Sequence, residues 1–279
     1  FSEMIGGPRD VTGTITFYPQ DMRFMFWAIG SVYEVSGTGI PYQHFASQVQ
    51  TSTWLNPFCS GTGQLNGPVS FAIEDSKAQP TTNKNSIRTI VGCVPNSVNL
   101  TATQGEKVSM EVNWIGQNAT YTSGTAKTVT ANTVTPWIWS NCSLTLAGSN
   151  IQTAKEVSLE VNNNLEGPHY VNGSRVIGTP FVGNRDITLN VTMDWDSESS
   201  AMFYETFYKN NASFNGVFDL NADIASAGSL HATFIMSGCY IESIDLPSTN
   251  EGTAEATLTI RPQNIVGSCW DRTPKYNAF

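Results

Sequence analysis

Basic side chains are scarce in this chain. Its 279 residues include 14 Lys or Arg against 23 Asp or Glu, for a formal net charge of -9. Gripping nucleic acid through its phosphates requires clustered Lys and Arg, so this balance argues against a protein that holds nucleic acid in that way and predicts that DNA meeting the surface is repelled. Long apolar runs are missing too. No stretch reaches the roughly 20 residues of a membrane-spanning helix, and no charged-then-apolar leader pattern follows Phe1. Only 13% of residues are charged while 40% are hydrophobic. That is enough apolar material for a real core and excludes a disordered chain, and it leaves Thr, Ser, Asn and Gln to cover the surface. The length suits one large all-β domain or two of ordinary size.

Residues for chemistry are equally thin. The five cysteines, Cys59, Cys93, Cys142, Cys239 and Cys269, are too dispersed for a zinc site and odd in number, so buried free thiols are expected. The three histidines, His44, His169 and His231, stand beside no His-Glu-x-x-His or Cys-x-x-Cys spacing. No Ser lies in a Gly-x-Ser-x-Gly elbow. Gly61-Thr62-Gly63 with Gly67 lacks the flanking strand and helix of a phosphate loop and reads as a turn. Asp194, Asp196 and Glu198 have the opening spacing of a calcium loop but not its later Gly and Glu, so helix capping accounts for them better. Catalysis, metals and cofactors are therefore not expected. Trp137, Trp139, Trp195 and Trp270 could stack on sugars, but Trp139 and Trp195 read better as core. Six Asn-x-Ser/Thr sequons, at Asn99, Asn118, Asn141, Asn172, Asn190 and Asn211, are possible glycosylation positions.

What the chain has in quantity is alternation. Val157, Leu159 and Val161, and then Ile187, Leu189, Val191, Met193 and Trp195, put apolar residues on one face. Glu156, Ser158, Glu160, Thr188, Asn190, Thr192 and Asp194 fall on the other. Period two marks half-buried strands. After a break at 194–200, Met202, Phe203 and Phe207 recur at helical spacing and predict a short helix with a buried face.

The pattern occurs twice. Gly7-Pro8-Arg9-Asp10-Val11-Thr12 returns 176 residues later as Gly183-Asn184-Arg185-Asp186-Ile187-Thr188. Thr12, Thr14 and Thr16 then alternate with apolar residues as Thr188, Asn190 and Thr192 do. Pro19 suits a first helical turn, Met22, Met25 and Phe26 supply the apolar face, and Gly30 a C-cap. Downstream, Gly92-Cys93 and Ser97-Val98-Asn99-Leu100 parallel Gly238-Cys239 and Ser243-Ile244-Asp245-Leu246 at an offset of 146. A further strand follows each, exposing Glu111 in the first half and Glu255 in the second. The smaller offset gives the first half about 30 extra residues, expected as a long loop over Ser36–Asn85. Gln117–Thr135, rich in Thr, Ser and Asn, is read as a linker. The first half shows no counterpart of the strand Val157–Val161, and a start without Met is read as an expectation of residues before Phe1.

The strand ending in an Asn run (VSLEVNNNLE), the loop Gly173-Ser174-Arg175, the segment Gly183-Asn184-Arg185-Asp186 and the aromatic helix beyond it resemble tailed-virus tail tube proteins of siphovirus type. The resemblance covers most of residues 1–29 and 86–279. It implies a mainly β protein: two tandem antiparallel β-sandwich or barrel domains, 1–130 and 131–279, each with one short α-helix. It implies a non-enzymatic virion protein of the viral tail that stacks in rings, meets other tail proteins at the tube ends and passes double-stranded DNA without binding it specifically, away from any membrane. The family's rings hold six tube folds, so a chain with two folds is expected as a homotrimer. The polar strand faces, with Thr12, Thr14, Thr16, Glu111, Glu160, Thr188, Asn190, Thr192 and Asp194, are the candidate lumen lining. An extracellular adhesion filament built by strand complementation is the alternative.

Overall fold

A computed structural model describes residues 11–35, 41–48, 69–78, 85–125, 136–169, 176–178, 180, 182–221, 230–246 and 254–272. The fold is mainly β and antiparallel. In the first half, β1 (Val11–Phe17) leads into α1 (Arg23–Ile29), followed by β2 (Ser31–Val35), β3 (Tyr42–Ser47), β4 (Phe71–Ala78), β5 (Asn85–Thr103), β6 (Ser109–Gly116) and β7 (Asn118–Gly124). A 3-10 turn, Trp139–Asn141, then opens β8 (Cys142–Leu146), β9 (Ser149–Asn150), β10 (Ala154–Asn162) and β11 (Asp186–Asp194). A helical turn, Ser197–Ser199, runs into a π-helix, Ser200–Tyr208, before β12 (Phe214–Asn221), β13 (His231–Asp245), β14 (Glu255–Arg261) and β15 (Asn264–Asp271).

The two sequence offsets reappear in the strand registers. Phe17 faces Met110, and 176 and 146 residues further on Met193 faces Ala256. The β5–β6 pair shifts register between Pro95 and Ser97, and the β13–β14 pair shifts between Ile241 and Ser243. Phe71 faces Cys93 where Phe214 faces Cys239, and Val91 faces Asn118 where Ser237 faces Asn264. Both long strands, β5 and β13, therefore serve two sheets. Their first parts pair in outer arms, with β4 and β7 or with β12 and β15, and their second parts join the central sheet. The crossing from arm to central sheet falls at Gly92 and Gly238, with φ of 66° and 62°. A Cβ at either would strike the side chain of Gln117 or Gln263, again 146 residues apart, and L side chains resist this φ. The bend needs glycine.

The central sheet runs β1-β6-β5-β10-β11-β14-β13. It crosses the division between 1–130 and 131–279, because β10 pairs with β5 over seven residues, from Glu156 opposite Thr103 to Asn162 opposite Ser97. Its apolar face carries Val98, Leu100, Val112, Leu159, Val161, Leu189, Val191 and Leu258, all buried in one core. Each such side chain stabilises the fold by about 1.5–3 kcal/mol. α1 lies over this joint, packed on β5 and β10, with Met25, Phe26, Trp27, Ala28 and Ile29 buried. Gly30 is its C-cap. In the second half Phe203 is buried, while Met202 and Phe207 are half-buried against the core and Phe207 packs on Phe214 at 4.8 Å between ring centroids.

Arg185 couples the halves at a second point. Its guanidinium donates to the carbonyl of Ile29 at the end of α1 and to Asn163 Oδ1 at 2.8 Å. A cation at a helix C-terminus is favourable to the helix dipole. Burial pushes its pKa down to about 10, so it keeps its charge at neutral pH.

Three expectations need correction. Residues 36–85 are not a featureless loop, since β3 and β4 lie there and Asn85 begins β5. β3 is held along both edges, by β2 and by β15 of the second half, and a strand so held needs no alternating pattern to be stable. Residues 36–40, 49–68 and 79–84 of that stretch lie outside the described residues. Gln117–Thr135 is not only a linker, because β7 extends the first arm. Pro19 precedes the first helix instead of opening it: the helix begins at Arg23, whose N–H donates to Asp21 Oδ1 at 3.1 Å.

Two substitutions test this packing. Phe203→Ala should destabilise the chain by about 3–5 kcal/mol, with a smaller loss for half-buried Phe207→Ala. Arg185→Ala, which strips the buried Ile29 carbonyl and Asn163 of a donor, should cost about 1–3 kcal/mol. Urea unfolding of the dissociated chain measures both, and wild-type midpoints would contradict the packing described.

Candidate functional site

The side of the central sheet away from the core is a continuous polar surface. Antiparallel register places small polar residues opposite one another: Ser109 faces Thr101, Thr101 faces Ser158, Ser158 faces Asn190, Asn190 faces Thr259 and Thr259 faces Ser243. A neighbouring row runs Thr16, Glu111, Asn99, Glu160 and Thr188. The alternation of each strand produces these rows because one period-two face goes to the core and the other is left over. Thr12, Thr14, Thr16, Glu111, Glu160, Thr188, Asn190, Thr192 and Asp194, the candidate lumen residues, all belong to this one face.

The rows are tied sideways. Thr14 donates to Asn113 Oδ1 at 2.5 Å, and Asn113 donates to Ser97 Oγ at 2.9 Å. Ser158 donates to Asn99 Oδ1 at 2.8 Å, and the Thr192 and Thr257 hydroxyls are 3.2 Å apart. Side-chain polar groups are thus engaged with each other, which blunts their appetite for a ligand.

Charge on these strands is mostly negative. β1, β6, β10, β11, β14 and the central-sheet parts of β5 and β13 carry eight carboxylates, Glu111, Glu156, Glu160, Asp186, Asp194, Glu242, Asp245 and Glu255, against two cations, Lys155 and Arg261. Both cations are occupied. Lys155 Nζ lies 2.6 Å from Asp194 and also bonds Glu255, and hydrogen bonds to Asp194 and then Glu255 hold its pKa above the ordinary lysine value. Arg261 donates to Glu242 at 2.7 Å and to Thr188 Oγ1 at 2.7 Å. No guanidinium or ammonium is left to grip a phosphate here. Sequence reading picked out most of this face but not Lys155, which sits in a register shift between Ala154 and Glu156, where alternation assigns no side.

The remaining candidates are scattered. Asp196 caps the second helix, accepting from the Ser199 N–H at 2.7 Å, while Asp194 is drawn to Lys155; the calcium-like trio thus divides between two tasks. Among the described residues no group of three His, Cys, Asp or Glu side chains is placed to hold a metal. His44 is buried 3.4 Å from Asp271, His169 is exposed and His231 lies against the Trp270 ring. Cys93, Cys142, Cys239 and Cys269 are free thiols. Burial pushes Cys93 and Cys239 up to about 11 and Cys142 to about 12, which makes them poor nucleophiles. Trp137 is buried, and Trp139 and Trp195 are half-buried against the core. Of the sequons, Asn99 and Asn190 lie on the polar face, Asn118 begins β7, Asn141 closes the 3-10 turn and Asn211 is exposed in a turn. Asn172 and Cys59 fall outside the described residues.

Among the described residues this sheet face is polar and negatively biased and gathers no metal-holding cluster. No curated protein sequence matches the chain. Among solved structures it is similar to the SPP1 tail tube, determined by solid-state NMR and cryo EM, at 14% identity and a TM-score of 0.36, over 50% of this chain and 82% of that one. The family model for phage tail tube protein matches residues 2–264. With nearly its whole length matched, the chain belongs to the phage tail tube protein family, components of the virion tail whose copies assemble into a tube.

Proposed function

We propose that this chain is the major, non-catalytic subunit of the tail tube, that three chains close each ring, and that the polar face of the central sheet lines a duct for the double-stranded genome. The observation that carries the reading is the face itself: rows of Thr, Ser, Asn and carboxylates with both cations neutralised. A wall of this kind repels phosphate at short range, and salt screens the repulsion beyond roughly 8–10 Å. DNA slides along it and finds no place to stick.

The paired registers support three chains per ring. A barrel's diameter is set by its strand number, and the same duplex must pass whatever the number of chains. If each half of the chain does the work of one tube fold, the six folds of a ring come from three chains. Contacts between the second half of one chain and the first half of the next are then heterologous and close by rotation. Closure also covers sheet edges that would otherwise invite uncontrolled pairing.

Image reconstruction of purified tubes tests the stoichiometry: three chains per ring with pseudo-sixfold density is expected, and six full chains per ring would refute it. The lining is tested separately with Asn190→Arg. Tubes of normal length should form, but genome release should slow, measured as DNA ejection after receptor triggering. Wild-type ejection from fully assembled Arg tubes would place the polar face elsewhere than the duct.

A further inference from the structure

A cleft of about 320 Å³ opens between the β8–β9 hairpin and the start of β10, on the core side of the central sheet and away from its polar face. Leu144, Val157 and Phe218, all buried, give it an apolar floor. Trp139, half-buried, lines a wall. Nearer the solvent the lining is Gln104, Asn150 and Gln152, all exposed, with half-buried Ser143. Main-chain hydrogen bonds pin these walls. The Trp139 N–H donates to the Glu106 carbonyl at 3.0 Å, the Ile151 N–H to the Leu144 carbonyl at 2.8 Å and the Gln104 N–H to the Lys155 carbonyl at 2.8 Å. A cleft fixed in this way is ready for a ligand before the ligand arrives, and its volume falls within the range of organic-ligand sites.

Two features of the lining narrow the class of ligand. On the polar face of the central sheet the side chains bond one another, whereas here they do not: among the described residues the side chains of Gln104, Ser143, Asn150 and Gln152 and the indole N–H of Trp139 have no hydrogen-bond partner. They are free to bind. In addition, no Asp, Glu, Lys, Arg or His is among the described residues that line the cleft, although the chain carries a net charge of -9. An ion or a phosphate would find no opposite charge there. A wholly apolar ligand would strip water from the amides without replacing its hydrogen bonds.

We propose that this cleft is a binding site for a neutral saccharide, with Trp139 as the stacking wall and Gln104, Ser143, Asn150 and Gln152 as the hydroxyl-reading groups. A pyranose ring divides its surface as the cleft does. The C–H groups of its flatter face pack on an aromatic ring, and its hydroxyls, each both donor and acceptor, suit side-chain amides, which offer an N–H₂ and a C=O together. The buried floor keeps water from the stacked face. The site belongs to the single chain and holds whether or not the chain forms tubes, so it adds a glycan-binding function to the structural one.

Titration of the dissociated wild-type chain with maltotetraose, cellotetraose, chitotetraose and a rhamnose tetrasaccharide, followed by amide chemical shifts, tests the site. At least one should bind with a Kd of about 1 mM or tighter and shift the amides of Gln104, Trp139, Asn150 and Gln152. Binding should be equal at low and high salt, because no charge lines the cleft. Trp139→Ala should weaken it about tenfold or more. Because Trp139 also packs on the core, the companion variant is Gln152→Ala, at an exposed side chain, which should weaken binding severalfold and keep the wild-type melting temperature. Binding by none of the four below about 10 mM, shifts confined to residues outside the cleft, or wild-type affinity in both variants would overturn the proposal. Binding of hexanol without any saccharide would make the cleft a plain apolar pocket and overturn it likewise.

Discussion

The fold depends on the seven-residue ladder between β5 and β10. A strand edge with buried apolar neighbours cannot face water cheaply, because its N–H and C=O groups and its side chains would have to be satisfied in different ways. Here both needs are met by the later half of the same chain. β10 supplies the ladder, Val157, Leu159 and Val161 extend the apolar face, and the Asn run just beyond it hydrogen-bonds to the bulge at Asn96. Arg185 then fastens the end of α1. The ladder joins residues from 53 to 65 positions apart in sequence, Glu156 with Thr103 and Asn162 with Ser97.

The Gly-Cys bend sets the geometry on either side of that ladder. A strand that continued straight would belong to one sheet; the positive φ at Gly92 and Gly238 lets β5 and β13 leave the central sheet and carry an arm. The following cysteine is buried in both halves. Its thiol packs as a small apolar group, in keeping with the raised pKa that burial imposes. The bend separates the polar face of the central sheet from outer arms whose pairing differs between the halves. β15 holds β3 and β12 holds β8, whereas β7 and β4 each pair only with β5 in the described residues.

That difference explains what the extra residues of the first half do. β3 pairs with β15 on one edge and with β2 on the other, so the insertion grips the second half of its own chain. The β5–β10 ladder, the β3–β15 ladder and Arg185 tie the first half of the chain to the second at three separate places.

Much of this was legible in the order of residues. Alternation such as Ile187, Leu189, Val191 and Met193 assigns faces because side chains on a strand point in turn to opposite sides, and the two repeat offsets recur in the β1–β6 and β11–β14 registers because pairing is a property of the repeated unit. The polar face and the buried Phe203 follow from the same local rules; the Gly-Cys repeat was visible, but the bend at Gly92 and Gly238 was not. The insertion strands were not legible, since β3 carries apolar and polar residues on both faces and owes its stability to two neighbours far away in sequence. The register shift that places Lys155 between Asp194 and Glu255, and the reach of Arg185 to Ile29, also escaped, because a one-residue shift in register or a long side chain obeys no period. The sequence by itself determined which residues face the core and which face out, through local steric alternation. Only the tertiary structure decided which strand covers which edge, because that choice is made by long-range pairing among edges of similar chemistry.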